Sequence, residues 1–181
     1  MYEPFILQCV VRPQYALMQR AYDAYRANSR PCQRGATNQC AVRMSIALGR
    51  SGFGLESFSP RNRVHSGNGA CQTDGMSHVL GAEELAKFLE RALSAPTKIR
   101  PQRAGGGCAH AFSQIQGQTG ILYFNNCFTR AGSAAQVGDH IDLFTGQQYY
   151  NQIIHPRAGG DESTGGSLFG RADQVWFWRL A

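Results

Sequence analysis

A cysteine and a histidine in this chain stand where nucleophilic acyl chemistry would need them. Cys40 lies in the run Asn38-Gln39-Cys40-Ala41-Val42-Arg43-Met44. Thr37 and Asn38 before it are good N-cap residues, able to accept hydrogen bonds from the first unpaired N–H groups of a helix. The residues that follow repeat helically: Cys40, Met44, Ala47 and Leu48 share a face, with Val42 and Ile46 beside it. A thiol in the first turn faces the positive end of the helix dipole, which favours thiolate over thiol. Such a thiolate is a nucleophile if a base stands nearby. The oxyanion it creates would be held by the Cys40 N–H and one further donor, the side chain of Gln39 or Asn38.

The candidate base is His140, which follows Gly138-Asp139 and opens the strand-like run His140-Ile141-Asp142-Leu143-Phe144. If Thr145-Gly146 is a two-residue hairpin turn, Phe144 opposes Gln147 and His140 opposes Asn151. Directly opposed side chains share a face with Cβ atoms roughly 5 Å apart, so Asn151 would fix one imidazole nitrogen and leave the other for the thiol. Asp142 shares that face by the period of two, but from two residues along the same strand its reach is poorer. His65, His78, His110 and His155 compete as bases, and only His140 combines a defined strand with an orienting partner. His155 ranks second. The bland alternative is a small buried cysteine and a hydrogen-bonded structural histidine.

The elements that must position these groups follow from periodicity. A first helix runs from Pro13 to about Ala27, with Tyr15, Met18, Tyr22 and Tyr25 as a core stripe. The Cys40 helix ends near Gly49-Arg50-Ser51-Gly52, and Phe53 to Gly75 is a long loop holding His65 and Cys71. A helix over His78 to Leu93 buries Leu85, Phe88, Leu89 and Ala92 and pairs Glu83 with Lys87. Pro96 to Gly107 is a linker, and a short helix follows over Ala109 to Gln116. Three strands are expected: Gly120 to Phe124, His140 to Phe144, and a closing one over Val175 to Trp178. The glycine-rich stretch Arg157 to Gly170 is a loop or insertion. Helices come first and strands later, so the fold class is α+β.

At 181 residues the expectation is a single domain over 1–181, long enough to bury a core without staples. The net charge of +6 comes almost wholly from dispersed arginines, Arg43 among them, and implies a solvated basic surface. There is no aromatic–basic interleaving of a nucleic-acid surface. No apolar run suits membrane insertion, and the N-terminus lacks signal-peptide character. Six cysteines (Cys9, Cys32, Cys40, Cys71, Cys108, Cys127) contain no Cys-x-x-Cys pair, so no zinc site or other cofactor is expected. With Cys40 free, at most two disulfides could form, leaving one more free thiol.

Four blocks, in order along most of the chain, resemble the fourth family of type VI secretion amidase effectors. They are Asn38 to Ser45, Cys71 with His78-Val79-Leu80-Gly81-Ala82-Glu83-Glu84-Leu85-Ala86, Gly138 to Leu143, and Val175-Trp176-Phe177-Trp178. The resemblance implies a papain-like cysteine amidase that cuts the γ-D-glutamyl–meso-diaminopimelate bond of peptidoglycan stem peptides. It further implies synthesis in the cytoplasm, delivery by type VI secretion machinery into a rival's periplasm, and a cognate immunity protein. The missing signal peptide agrees with that route. The chain departs from the family in offering Asn151 where an Asp usually serves as third catalytic residue, and Phe144 where a Trp usually follows Ile-Asp-Leu. Two other classes use the same residues: a cysteine transferase or deamidase acting on protein side chains, and a non-catalytic binding module.

Overall fold

The computed structural model describes residues 12–27, 30–32, 39–55, 57–58, 63–65, 77–129, 134, 136–154 and 167–181. Its elements are α1 (Tyr15–Asp23) with a 3-10 turn (Ala24–Arg26), α2 (Cys40–Arg50), β1 (Arg63–His65), β2 (Ser77–Val79), α3 (Ala82–Ala92) and β3 (Thr97–Ile99). There follow α4 (Ala111–Ile115), β4 (Gly120–Thr129), β5 (Gln136–Phe144), α5 (Tyr150–Ile154), α6 (Leu168–Arg171) and β6 (Gln174–Arg179). The four-stranded antiparallel sheet has the order β3-β6-β4-β5, and β1 pairs with β2 in a separate ribbon.

The apolar run at the start of β4 is unbroken because both faces of the sheet are covered. Ile121 and Tyr123 join Ile141, Leu143, Trp176 and Trp178 in a core shared with α1, α2 and α3. Leu122 and Phe124 join Phe144, Val175 and Phe177 on the opposite face, under α4 and α6. β5 is an edge strand, and α2 packs beside it. The helix that carries Cys40 is buried from Cys40 through Leu48, all round rather than on one stripe. Ser45 ties it to the β1–β2 ribbon by accepting from the Val79 N–H at 3.1 Å. The C-terminal residue closes on the first helix, the Tyr15 N–H donating to the Ala181 carbonyl at 3.3 Å.

Several expectations are corrected. His78 does not begin a helix: it lies in β2, and α3 starts at Ala82 after the extended Gly81. Pairing with the ribbon wins over helical periodicity there, while the stripe of Leu85, Phe88 and Leu89 and the Lys87–Glu83 pair (2.6 Å) form as expected. The supposed linker contains β3, whose Lys98 Nζ sits 3.8 Å above the Trp176 ring and pairs with Glu90. The strand over Val175 to Trp178 does not close the sheet. It lies inside, between β3 and β4, and so is apolar at every position from Val175 to Trp178.

The fourth correction matters most for the site. Thr145-Gly146 is not a two-residue turn: Thr145 Oγ1 accepts the N–H groups of Gln147 and Gln148, and the Thr145 N–H donates to the Gln148 carbonyl. A threonine hydroxyl that takes two backbone donors stabilises a wider loop, and Gly146 supplies the left-handed residue (φ 91°) it needs. Phe144 therefore bridges to Tyr149, and the chain turns at once into α5 instead of continuing as a strand. His140 pairs with Phe124 on β4, and Asn151 is helical.

Candidate active site

Cys40 is the first helical residue of α2, with Gln39 in the cap position and the Arg43 N–H making the first helical bond to the Gln39 carbonyl. The cap makes no side-chain bond to the helix, because Gln39 Oε1 instead accepts from the Cys32 N–H at 3.0 Å. Asn38 and Thr37 lie outside the described residues. So do Cys71 and His155, while His65 falls in β1. Cys32 is disulfide-bonded, whereas Cys40, Cys108 and Cys127 are free. Among the described residues there are thus two free thiols besides Cys40, one more than expected, so two disulfides cannot form.

Cys40 and His140 meet at the free edge of β5. Both are buried, at 4% and 5% exposure. Burial alone pushes the Cys40 thiol up, but the hydrogen bond and charge of His140, the Ile141 backbone N–H and the charge of Arg43 bring it below its ordinary value. Burial likewise disfavours the His140 cation, yet bonds to Asp142 and Cys40 and their charges raise its pKa to about 9. Both shifts favour the thiolate–imidazolium form of the pair. Phe124 and Tyr149 flank the ring, with centroids 6.2 and 6.0 Å away.

The imidazole is oriented from its own strand. His140 Nε2 donates to Asp142 Oδ2 at 3.3 Å, which leaves Nδ1 for the thiol. The Asp142 carboxylate is held in turn by the N–H groups of Leu143 (2.9 Å) and Asn151. The Asn151 side chain does not face His140 as the hairpin register required; its Oδ1 accepts from Arg43 Nη2 at 3.4 Å. Its main chain, not its side chain, touches the site. The strand before the histidine is fixed by a bulge, where Asn126 has φ 49° and Asp139 accepts from the Asn126 N–H and from Asn125 Nδ2. Gly138 is required there, since a Cβ would stand 2.3 Å from the Phe128 ring.

The other histidines are elsewhere: His78 is buried in β2, and His110 stands at the N-cap position of α4 without a side-chain bond to that helix. Arg43 departs from the solvated surface expected of the arginines, being only 5% exposed. Its signal was its spacing, one helical turn from Cys40. Tyr22, expected only as core, brings a buried hydroxyl into the same cluster. Among the described residues no group of histidine, cysteine and carboxylate side chains could hold a metal ion.

A thiol at a helix start, set against a histidine on an antiparallel sheet, defines the papain-like class of cysteine amidases within the α+β folds. The model of the type VI secretion system amidase effector protein 4 family matches residues 36–178, and this chain belongs to that family. It is thus an amidase effector, a cell-wall hydrolase of the type VI system. Among solved structures, one of the effector–immunity system Tae4/Tai4 from Salmonella typhimurium matches with a TM-score of 0.62 at 16% identity, over 94% of this chain and 99% of the other. Tae4 from Enterobacter cloacae matches with a TM-score of 0.58 at 17% identity, over 94% of this chain and 98% of the other. At such identities these two establish the fold. No curated protein sequence matches the chain significantly.

Proposed function

We propose that this amidase hydrolyses the γ-D-glutamyl–meso-diaminopimelate bond of peptidoglycan stem peptides, with Cys40 as nucleophile, His140 as acid and base, and Asp142 as the residue that orients the ring. The observation that carries the roles is the buried chain Cys40–His140–Asp142 at the start of α2. The Cys40 thiolate attacks the scissile carbonyl, and the imidazolium protonates the departing amine to leave a thioester. The neutral imidazole then activates water to release the acid. The oxyanion is held by the Cys40 N–H at the first residue of α2 and by the Gln39 carboxamide, whose Oε1 is fixed by the Cys32 N–H.

The whole chain acts as one domain. It is carried by the secretion machinery from the producer's cytoplasm and is active in the target cell's periplasm. The producer is protected by a cognate immunity protein, as the Tae4/Tai4 structures suggest by analogy. No helix among the described residues is long and apolar enough to cross a membrane.

The test is mass spectrometry of sacculus fragments after incubation with the protein and with its Cys40→Ala variant. Fragments newly ending in free D-glutamate γ-carboxyl and diaminopimelate amine, made only by the wild type, are expected. Cleavage at another bond would replace the assigned substrate, and equal digestion by folded Cys40→Ala would remove the nucleophile. Expression in a Gram-negative host separates the protein-modifying alternative: lysis only with an added export signal is expected, and equal killing from the cytoplasm would favour a protein target.

A further inference from the structure

Arg43 is an expensive residue to keep where it lies. Its guanidinium is buried between α2 and α5, and its Nε and Nη1 make no hydrogen bond. Among the described residues no carboxylate forms an ion pair with it; the remaining nitrogen, Nη2, reaches only Asn151 Oδ1. A buried cation with unsatisfied donors destabilises a fold, and a methionine of similar length would fill the space without that cost. The nearby groups give it a use. Arg43 lies one turn along α2 from Cys40, and the residue it grips has its backbone N–H on Asp142, which in turn bonds His140.

We propose that Arg43 is a positioning residue of the catalytic centre: it holds Asn151 so that the Asn151 N–H docks on Asp142, and its unpaired charge is the counter-cation of the Cys40 thiolate. The two roles close one circuit. Thiolate, imidazolium, Asp142 carboxylate and guanidinium alternate in sign and sum to zero, so the ionised pair can persist in a buried site. Two independent links bear on the circuit, one through Asn151 and α5, the other directly along α2. The direct link also agrees with the direction in which Arg43 moves the thiol. The inference rests on Cys40 being the nucleophile but not on the identity of the bond it cuts.

The charged and titratable groups that interact with Cys40 are His140 from β5, Cys127 from β4, Tyr22 from α1 and Arg43 from its own helix; Asp142 acts through His140, and β2, packed on α2, carries the buried His78. The experiment compares Arg43→Met, Arg43→Lys, Asn151→Ala and the double variant Arg43→Lys/Asn151→Ala. Two readouts are taken: the pH dependence of Cys40 alkylation by iodoacetamide, followed by mass, and kcat/KM on a purified muropeptide. Arg43→Met should move the acid limb of alkylation up by about one pH unit, a roughly tenfold loss of thiolate on that limb. Arg43→Lys keeps the charge and should leave the limb in place, yet lower kcat by about the same factor as Asn151→Ala. The double variant should be no worse than either single one. A wild-type limb in Arg43→Met, or additive losses in the double variant, would overturn the proposal. Should Arg43→Met not fold, Arg43→Gln, which also removes the charge, takes its place in the alkylation series, and the Arg43→Lys and Asn151→Ala arms still decide the Asn151 link by additivity. A wild-type protein without any acid limb at Cys40 would overturn the catalytic reading itself, and this inference with it.

Discussion

Cys40 and Cys127 are both buried thiols, yet their surroundings drive them in opposite directions. Cys127 lies inside β4, where its Sγ donates to the Gly138 carbonyl at 3.5 Å. Burial pushes its pKa far up, and the charges of Cys40 and Asp139 add to that. Cys108, whose Sγ donates to the Ile99 carbonyl, is raised by burial as well. Cys40 is as deeply placed but meets donors and cations instead of a carbonyl: the Ile141 N–H, His140 and Arg43. Burial by itself protects a thiol, and only a site that stabilises the anion reverses its effect.

The largest expected effect removes one member of that comparison. Cys40→Ala and Cys40→Ser should each abolish amide hydrolysis with circular dichroism unchanged, because a serine hydroxyl would not ionise in the same environment. Substantial turnover by either folded variant would end the distinction between the two thiols. Next in size is Asp142. Asp142→Ala should lower kcat on a defined muropeptide by about 10²–10⁴-fold, since the imidazole loses both its tautomer and its counter-charge. Asn151→Ala, which loses the Arg43 grip but not the N–H itself, should cost about tenfold or less. The reverse ranking would restore Asn151 as the orienting side chain.

A pH series sharpens the comparison further. Catalysis needs Cys40 ionised and His140 protonated. The rate should rise as pH climbs through the lowered thiol pKa and fall as it passes the His140 value of about 9. Across that window iodoacetamide should label Cys40 and spare Cys108 and Cys127 until the protein is denatured. Labelling of Cys127 in the native protein at a comparable rate would contradict its placement. The smallest effect belongs to Cys127→Ala, which should leave kcat/KM within about twofold and lower stability by about 1 kcal/mol in urea unfolding.

Much of the scaffold was legible in the residues. The start and end of α2, the stripe of α3 and the cores of β4, β5 and β6 all follow from local periodicity, because each buries a patterned face. What stayed hidden depended on partners distant in sequence. β3 is only three residues long and polar on its exposed side, so nothing local distinguishes it from a linker. The helical reading at His78 failed because the pairing partner of β2 is β1, which the loop composition concealed. The hairpin register failed at a single hydroxyl, Thr145, which took the N–H groups that a two-residue turn would have left to the ladder.

The sequence by itself pointed to Cys40 as the candidate nucleophile and to His140 as its candidate base. An apolar helix beginning at Cys40, and a strand containing His140 though it starts earlier, at Gln136, are local features, and family membership follows from motifs in order along the chain. Only the tertiary structure decided which residues complete the centre. It put Asp142 rather than the Asn151 side chain on the imidazole, turned Asn151 toward Arg43, and buried Arg43 among groups it could not meet by proximity along the chain. Those are contacts between α2, β5 and α5, and a contact between separate elements is set by how their faces pack, which no local period encodes.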